Sequence, residues 1–119
     1  MAANKLKIRI ITPERVFFEE GADMAILRCT TGDLGIMYGH EPCSVVLDIG
    51  MLRILDDAAG ERRLAVFGGI AQVLDNVLTI LVHDAKWPDE LEKALEEADE
   101  DQDDLEDLQR LQYLFQMIK

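Results

Sequence analysis

The sequence predicts a mainly β fold with a short α appendage, and three observations carry that prediction. Residues 6–82 run as short apolar or alternating stretches, the breaks between them hold turn-forming residues, and after Val82 the spacing of apolar residues changes from two to three and four. The chain has 119 residues, 49% of them apolar and 30% charged, a composition of ordinary globular proteins. One compact domain with a small addition fits that length, and the texture puts the division at residues 1–85 and 86–119.

The elements follow in order. Leu6, Ile8 and Ile10 share one face of a strand whose other face carries Lys5, Lys7 and Arg9. That alternation is clean enough for either edge of a sheet. Further strands are predicted at Val16 to Glu19, Met24 to Cys29, Leu34 to Tyr38, Ser44 to Leu47, Met51 to Leu55, Arg63 to Phe67, Ile70 to Leu74 and Leu78 to Val82. So many short strands at this spacing specify a sandwich or barrel. Asp56-Asp57-Ala58-Ala59-Gly60 and Asp75-Asn76 read as hairpin turns, since Asp, Asn and Gly accept turn backbone angles at little cost. Gly68-Gly69 interrupts two apolar stretches and marks a bulge or the close approach of another backbone.

Pro88 suits the first turn of a helix, where its missing N–H has no intrahelical partner. Leu91, Ala94, Leu95 and Ala98 then form one helical stripe. Residues 99–104 are wholly polar, and Leu105, Leu108, Leu111, Phe115 and Ile118 restart a stripe, so the appendage reads as a two-helix hairpin.

Charge narrows the function classes. Twelve Lys and Arg against 24 Asp and Glu give a net charge of −12, which disfavours nucleic acid phosphates and anionic lipid as partners and favours a basic protein surface. No apolar run reaches the roughly 20 residues of a membrane-spanning helix. The Lys5, Lys7, Arg9 alternation differs from a secretory signal, so a cytosolic or membrane-peripheral location is expected. Cys29 and Cys43 match no zinc or redox spacing. His40 and His83 are the only histidines, too few for a ready metal site. Gly32, Gly35 and Gly39 lack the Lys and Ser/Thr of a phosphate loop and fit a strand-turn-strand corner. The acidic run from Asp99 to Asp107 lacks the spaced ligands and central Gly of a calcium loop. Ser44 sits in no nucleophile elbow. Neither a catalytic residue nor a cofactor is expected.

Four ordered segments carry a family resemblance: Ile11-Thr12-Pro13-Glu14-Arg15-Val16-Phe17-Phe18-Glu19; Thr31-Gly32-Asp33-Leu34-Gly35-Ile36 with Gly39-His40 and Pro42; Gly50-Met51-Leu52-Arg53-Ile54; and Gly68-Gly69. Together they resemble the epsilon subunit of rotary F-type ATP synthases. The resemblance implies a ten-stranded β-sandwich followed by a two-helix hairpin. It also implies a non-catalytic rotor subunit on the central stalk, linking gamma to the c-ring, peripheral to the cytoplasmic face of the membrane. By position, Asp33 would face the c-ring loops, and Thr12 and His40 would lie near gamma, all three on one working side.

The hairpin departs from the family pattern by its acidity: residues 86–119 hold 12 acidic and four basic residues. In relatives the extended hairpin inhibits hydrolysis by approaching the catalytic alpha and beta subunits with basic residues, so weak inhibition is expected here. The ATP-binding segment of some relatives corresponds to Asp89-Glu90-Leu91-Glu92-Lys93-Ala94, where Glu and Lys replace Asp and Arg, so no useful ATP binding is expected. Two other classes compete: a free-standing β-sandwich adaptor for a basic partner, and a small enzyme with His40, Asp33 and Ser44 gathered at one corner.

Overall fold

The computed structural model describes residues 4–98 and residue 113. Eight strands precede one helix: β1 (Leu6–Ile11), β2 (Val16–Ala22), β3 (Met24–Cys29), β4 (Gly32–Met37), β5 (Cys43–Asp56), β6 (Gly60–Leu74), β7 (Val77–Val82), β8 (Ala85–Lys86) and α1 (Pro88–Ala98). They form one hydrogen-bonded path, β2-β1-β7-β6-β5-β3-β4, with β8 added to β6. Neighbours are antiparallel except β1 and β7, which run parallel from Lys7↔Val77 to Ile11↔Leu81. β1 is therefore interior, between β2 and β7, and occupies neither edge.

Two long strands fold this path into layers. In β5 the inward positions are Val45 and Leu47 before Asp48, but Leu52 and Ile54 after it. In β6 they are Leu64 and Val66 before the Gly68-Gly69 pair, but Ala71 and Val73 after it. Because side chains alternate strictly along a strand, such a phase change means that the chain has turned its other face to the core. Each long strand thus serves both layers. The four short strands predicted around positions 48 and 68 are in fact these two continuous ones, which leaves eight continuous strands among the described residues. Counted by layer, β2, β1, β7, β6 and β5 make one sheet, and β6, β5, β3, β4 and β8 the other.

The core between the layers is aliphatic, with Leu6, Ile8, Ile10, Leu27, Ile36, Leu52, Ile54, Leu64, Leu78 and Ile80 wholly buried. Burying each large aliphatic side chain contributes on the order of 1.5–3 kcal/mol. Gly69 explains its own identity: its φ is +148°, and a Cβ there would overlap the Leu81 carbonyl oxygen. Gly32 (φ +123°) and Gly39 (φ +88°) bracket β4 as the predicted corner. Asp75 and Asn76 take positive φ in the turn between β6 and β7. The Asp56 carboxylate accepts from the Ala58 and Ala59 N–H groups in the turn between β5 and β6.

α1 begins at Pro88, as the sequence predicts. The Glu90 carboxylate accepts from the Trp87 N–H at 3.1 Å, half of a capping box. Among its described side chains Leu91 is the buried one, in a small cluster with Ala65, Ile49 and Phe67 on the outer face of the second sheet. The second helix of the expected hairpin lies, apart from Tyr113, outside the described residues.

Candidate docking surface

The first sheet keeps an exposed apolar row. Its inward positions are filled, and its outward positions fall into rows across the strands. One row is Glu19, Arg9, Thr79, Gln72 and Ser44, all polar. Two residues further along, toward the carboxyl end of β1, the row is Val16, Ile11, Leu81, Ile70 and Val46. Val16 is 52%, Ile70 51% and Val46 57% exposed. At about 4.8 Å between strands, this stripe extends roughly 19 Å across five strands. It continues into an open depression of about 320 Å³ lined by Ile11, Thr12, Pro13, Gly69, Leu81, Val82 and His83. A contiguous apolar band on an otherwise charged surface is a docking feature rather than a reaction site.

The three residues singled out from sequence are not gathered on one side. Thr12 is buried, and its hydroxyl donates to the Arg15 carbonyl at 3.3 Å, closing the turn between β1 and β2. Its side chain therefore serves the turn, while its neighbours Ile11 and Pro13 form surface. His40 lies at the other end of the first sheet, beside the turn between β6 and β7, where the Gly39 N–H donates to Asn76 Oδ1 at 2.7 Å. The His40 Nδ1 lies 2.7 Å from the Glu41 carbonyl oxygen. Asp33 is the second residue of β4, outward on the second sheet and paired with Arg28 at 3.2 Å. Asp33 and His40 flank β4: four strand steps, about 13 Å, separate Asp33 from Met37, whose carbonyl accepts from the His40 N–H at 3.1 Å.

Charged groups cluster elsewhere, as fasteners. Lys5 Nζ bridges Asp23 at 2.6 Å and Asp56 at 2.8 Å, tying the start of β1 to the turn between β5 and β6. The hydrogen bond from Lys5 holds both carboxyls below the usual range, helped by the N–H of Asp57 at Asp23 and of Ala59 at Asp56, and the same pair of carboxylates raises the lysine. Glu61 is lowered in the same way by Arg53 and then Arg63. Burial pushes the Cys29 thiol up, as does the nearby Asp33 charge. Cys29 and Cys43 are both free. Among the described residues, no three His, Cys, Asp or Glu side chains are placed to share a metal ion, and no helix is long and apolar enough to cross a membrane.

The sequence reading missed the stripe, although a signal was present. Val45-Val46-Leu47 and Ile80-Leu81-Val82 are runs of three apolar residues in strands that otherwise alternate, so the middle residue must face outward.

Fold and surface together define a small β-sandwich with an exposed apolar row along one sheet. Residues 5–88 match the family described as ATP synthase, Delta/Epsilon chain, beta-sandwich domain, and the chain belongs to that family. It is 38% identical over 89 residues to the ATP synthase epsilon chain of Caldicellulosiruptor bescii, covering 75% of this chain and 64% of that relative. It is 42% identical over 93 residues to the ATP synthase epsilon chain of Synechococcus elongatus, covering 78% of this chain and 66% of that one. The match thus spans just under two thirds of these relatives' length. A chain in the Euglena gracilis mitochondrial ATP synthase structure (OSCP/F1/c-ring, rotational state 1) shares the fold, with a TM-score of 0.68 at 23% identity over 91% of this chain and 73% of that chain.

Proposed function

We propose that this chain is a non-catalytic rotor subunit in the central stalk of an F-type ATP synthase. It joins gamma to the c-ring, turns with them, and couples proton or sodium flow to ATP synthesis from a peripheral position on the cytoplasmic face of the membrane. The stripe of Val16, Ile11, Leu81, Ile70 and Val46 carries this reading, because a rotor subunit needs a face that a partner covers permanently. Gamma is the occupant assigned to that face, with the Thr12 turn at its rim. His40, at the far end of the same sheet, would then meet gamma through a separate contact. Asp33, near the start of β4 on the opposite sheet, is assigned to the c-ring loops.

Titrating the chain with gamma from the same source tests this. Ile70→Asp and Leu81→Asp are exposed changes that should each leave the melting temperature within a few degrees and weaken the complex by at least about tenfold. One desolvated apolar contact of about 1.5–3 kcal/mol lost in each variant supports that size. Unchanged affinity in both variants would refute the assignment of this face, and no binding of gamma by the unaltered, folded chain would refute the rotor reading.

The second helix, by its stripe from Leu105 to Ile118, is proposed to complete a hairpin with α1, giving the 1–85 and 86–119 division. Its acidity makes contact with the alpha and beta subunits unfavourable, so inhibition of hydrolysis is weak. Removing residues 87–119 should change the hydrolysis rate of the reconstituted enzyme by less than about twofold, and a large rise would contradict this. MgATP should give no calorimetric signal in the low-millimolar range.

A further inference from the structure

Two turns at the end of the first sheet away from Thr12 are tied together by one side chain. The first, Met37-Tyr38-Gly39-His40, is closed by the His40 N–H donating to the Met37 carbonyl at 3.1 Å. Gly39, its third residue, has φ +88°, which makes the turn type II. The commoner type I form differs by a flip of the peptide between the two central residues, and that flip would swing the Gly39 N–H away. The second turn joins β6 to β7 through Asp75 and Asn76, both at positive φ, the type I′ hairpin whose twist matches its strands. Asn76 bonds in both directions. Its carbonyl accepts from the Lys7 N–H of β1 at 2.9 Å, and its Oδ1 accepts from the Gly39 N–H at 2.7 Å.

The Asn76 side chain is thus carried on a well-anchored hairpin and meets the N–H whose direction separates the two turn forms. What this tie aims is His40. The His40 Nδ1 lies 2.7 Å from the Glu41 carbonyl oxygen, which can only accept, so Nδ1 carries the proton and the neutral ring leaves Nε2 as an acceptor. Each turn also holds an exposed apolar residue, Tyr38 in one and Leu74 in the other. Apolar and hydrogen-bonding groups held together in this way are the makings of a contact surface.

We infer that Asn76 is a positioning residue for docking: by holding the 37–40 turn in its type II form it presents His40 Nε2 to a hydrogen-bond donor on gamma. The inference rests on the docking reading above, in which His40 meets gamma. To that reading it adds the residue that aims the imidazole and the chemistry of the group it meets.

A double-mutant cycle in gamma affinity tests it. His40→Ala should weaken the complex by about fivefold, the size of one hydrogen bond. Asn76→Gly keeps the positive φ but removes the acceptor; it should weaken the complex by a similar factor, and adding His40→Ala to it should weaken it no further. Asn76→Asp keeps an acceptor in the same place and should bind gamma within about twofold of the unaltered chain. In the chain alone, exchange of the Gly39 amide should speed by at least about tenfold in Asn76→Gly and stay slow in Asn76→Asp. Losses that multiply in the double variant overturn the inference and leave the rotor reading standing. Full affinity in Asn76→Gly once the Gly39 amide is freed does the same, as does full affinity in His40→Ala. Failure of the folded, unaltered chain to bind gamma removes both.

Discussion

Gly69 and Lys5 show how single residues hold this fold, and each gives a measurable expectation. Gly69 has a positive φ and lies against the β7 backbone at Leu81 and Val82, so the obstacle to a side chain is main chain that cannot swing away. Gly69→Ala should cost about 3 kcal/mol or more, seen as a large fall in melting temperature or as failure to fold. Gly60, with φ +80° and open space around it, should cost only about 1 kcal/mol on the same change. The Lys5 bridge gives a pH dependence. Because the Asp23 and Asp56 carboxyls lie below their unfolded values, their contribution is present above about pH 4 and is lost as pH falls through the lowered folded values. The raised lysine contributes below about pH 10.4 and loses that contribution only at more alkaline pH. Melting curves of the chain and of Lys5→Met should therefore differ at neutral pH and converge toward pH 2. A gap that stays constant down to pH 2 would assign the effect to packing of the lysine stem. The three residues expected to form one working side illustrate the opposite lesson. Thr12, Asp33 and His40 sit on separate turns and strands, and sequence distance carried no information about which sheet each would face.

At the scale of elements, the junction between β8 and α1 is a packed aromatic joint. Trp87 stacks on Phe17 at 5.4 Å between centroids and meets Phe18 edge-on at 6.1 Å. Arg15 lies over Phe17 at 5.2 Å and Arg62 over Phe18 at 4.9 Å, so the ladder runs from the β1–β2 turn to the core edge of β6. Beyond it, Leu91 of α1 packs in a cluster apart from the main core. Two variants should separate these roles. Leu91→Ala should cost about 2–3 kcal/mol of α1 docking and speed exchange of the α1 amides, with little change in those of β1 and β7. Trp87→Ala removes contacts to β2 as well and should speed exchange in both β2 and α1. Equal effects of the two variants on β2 would show that the joint does not act as drawn. Long β5 and β6 belong to the same scale. Their turning points at Asp48 and Gly68-Gly69 look like strand ends in sequence, because a bend and a break both interrupt alternation.

For the whole molecule, the separation of the Leu91 cluster from the main core predicts an independent sandwich. A chain ending at Trp87 should melt within about 5 °C of the full chain, and a larger drop would mean that α1 is part of the cooperative unit. It should also be less soluble, since Ile49, Ala65 and Phe67 lose their cover. The sequence by itself determined that strands precede a helix, where Pro88 begins it, which turns need Asp, Asn or Gly, and, through four short motifs, the family. These are local matters: backbone preference, period of alternation and turn chemistry act within a few residues of where they are written. Only the tertiary structure decided that β1 lies inside the sheet and parallel to β7, that four predicted strands are two, and that Val16, Ile11, Leu81, Ile70 and Val46 meet in one row. Those facts depend on pairings between residues up to 70 positions apart, such as Ile11 and Leu81. Register across a sheet is fixed by the joint burial of all the strands, which no single stretch of sequence encodes.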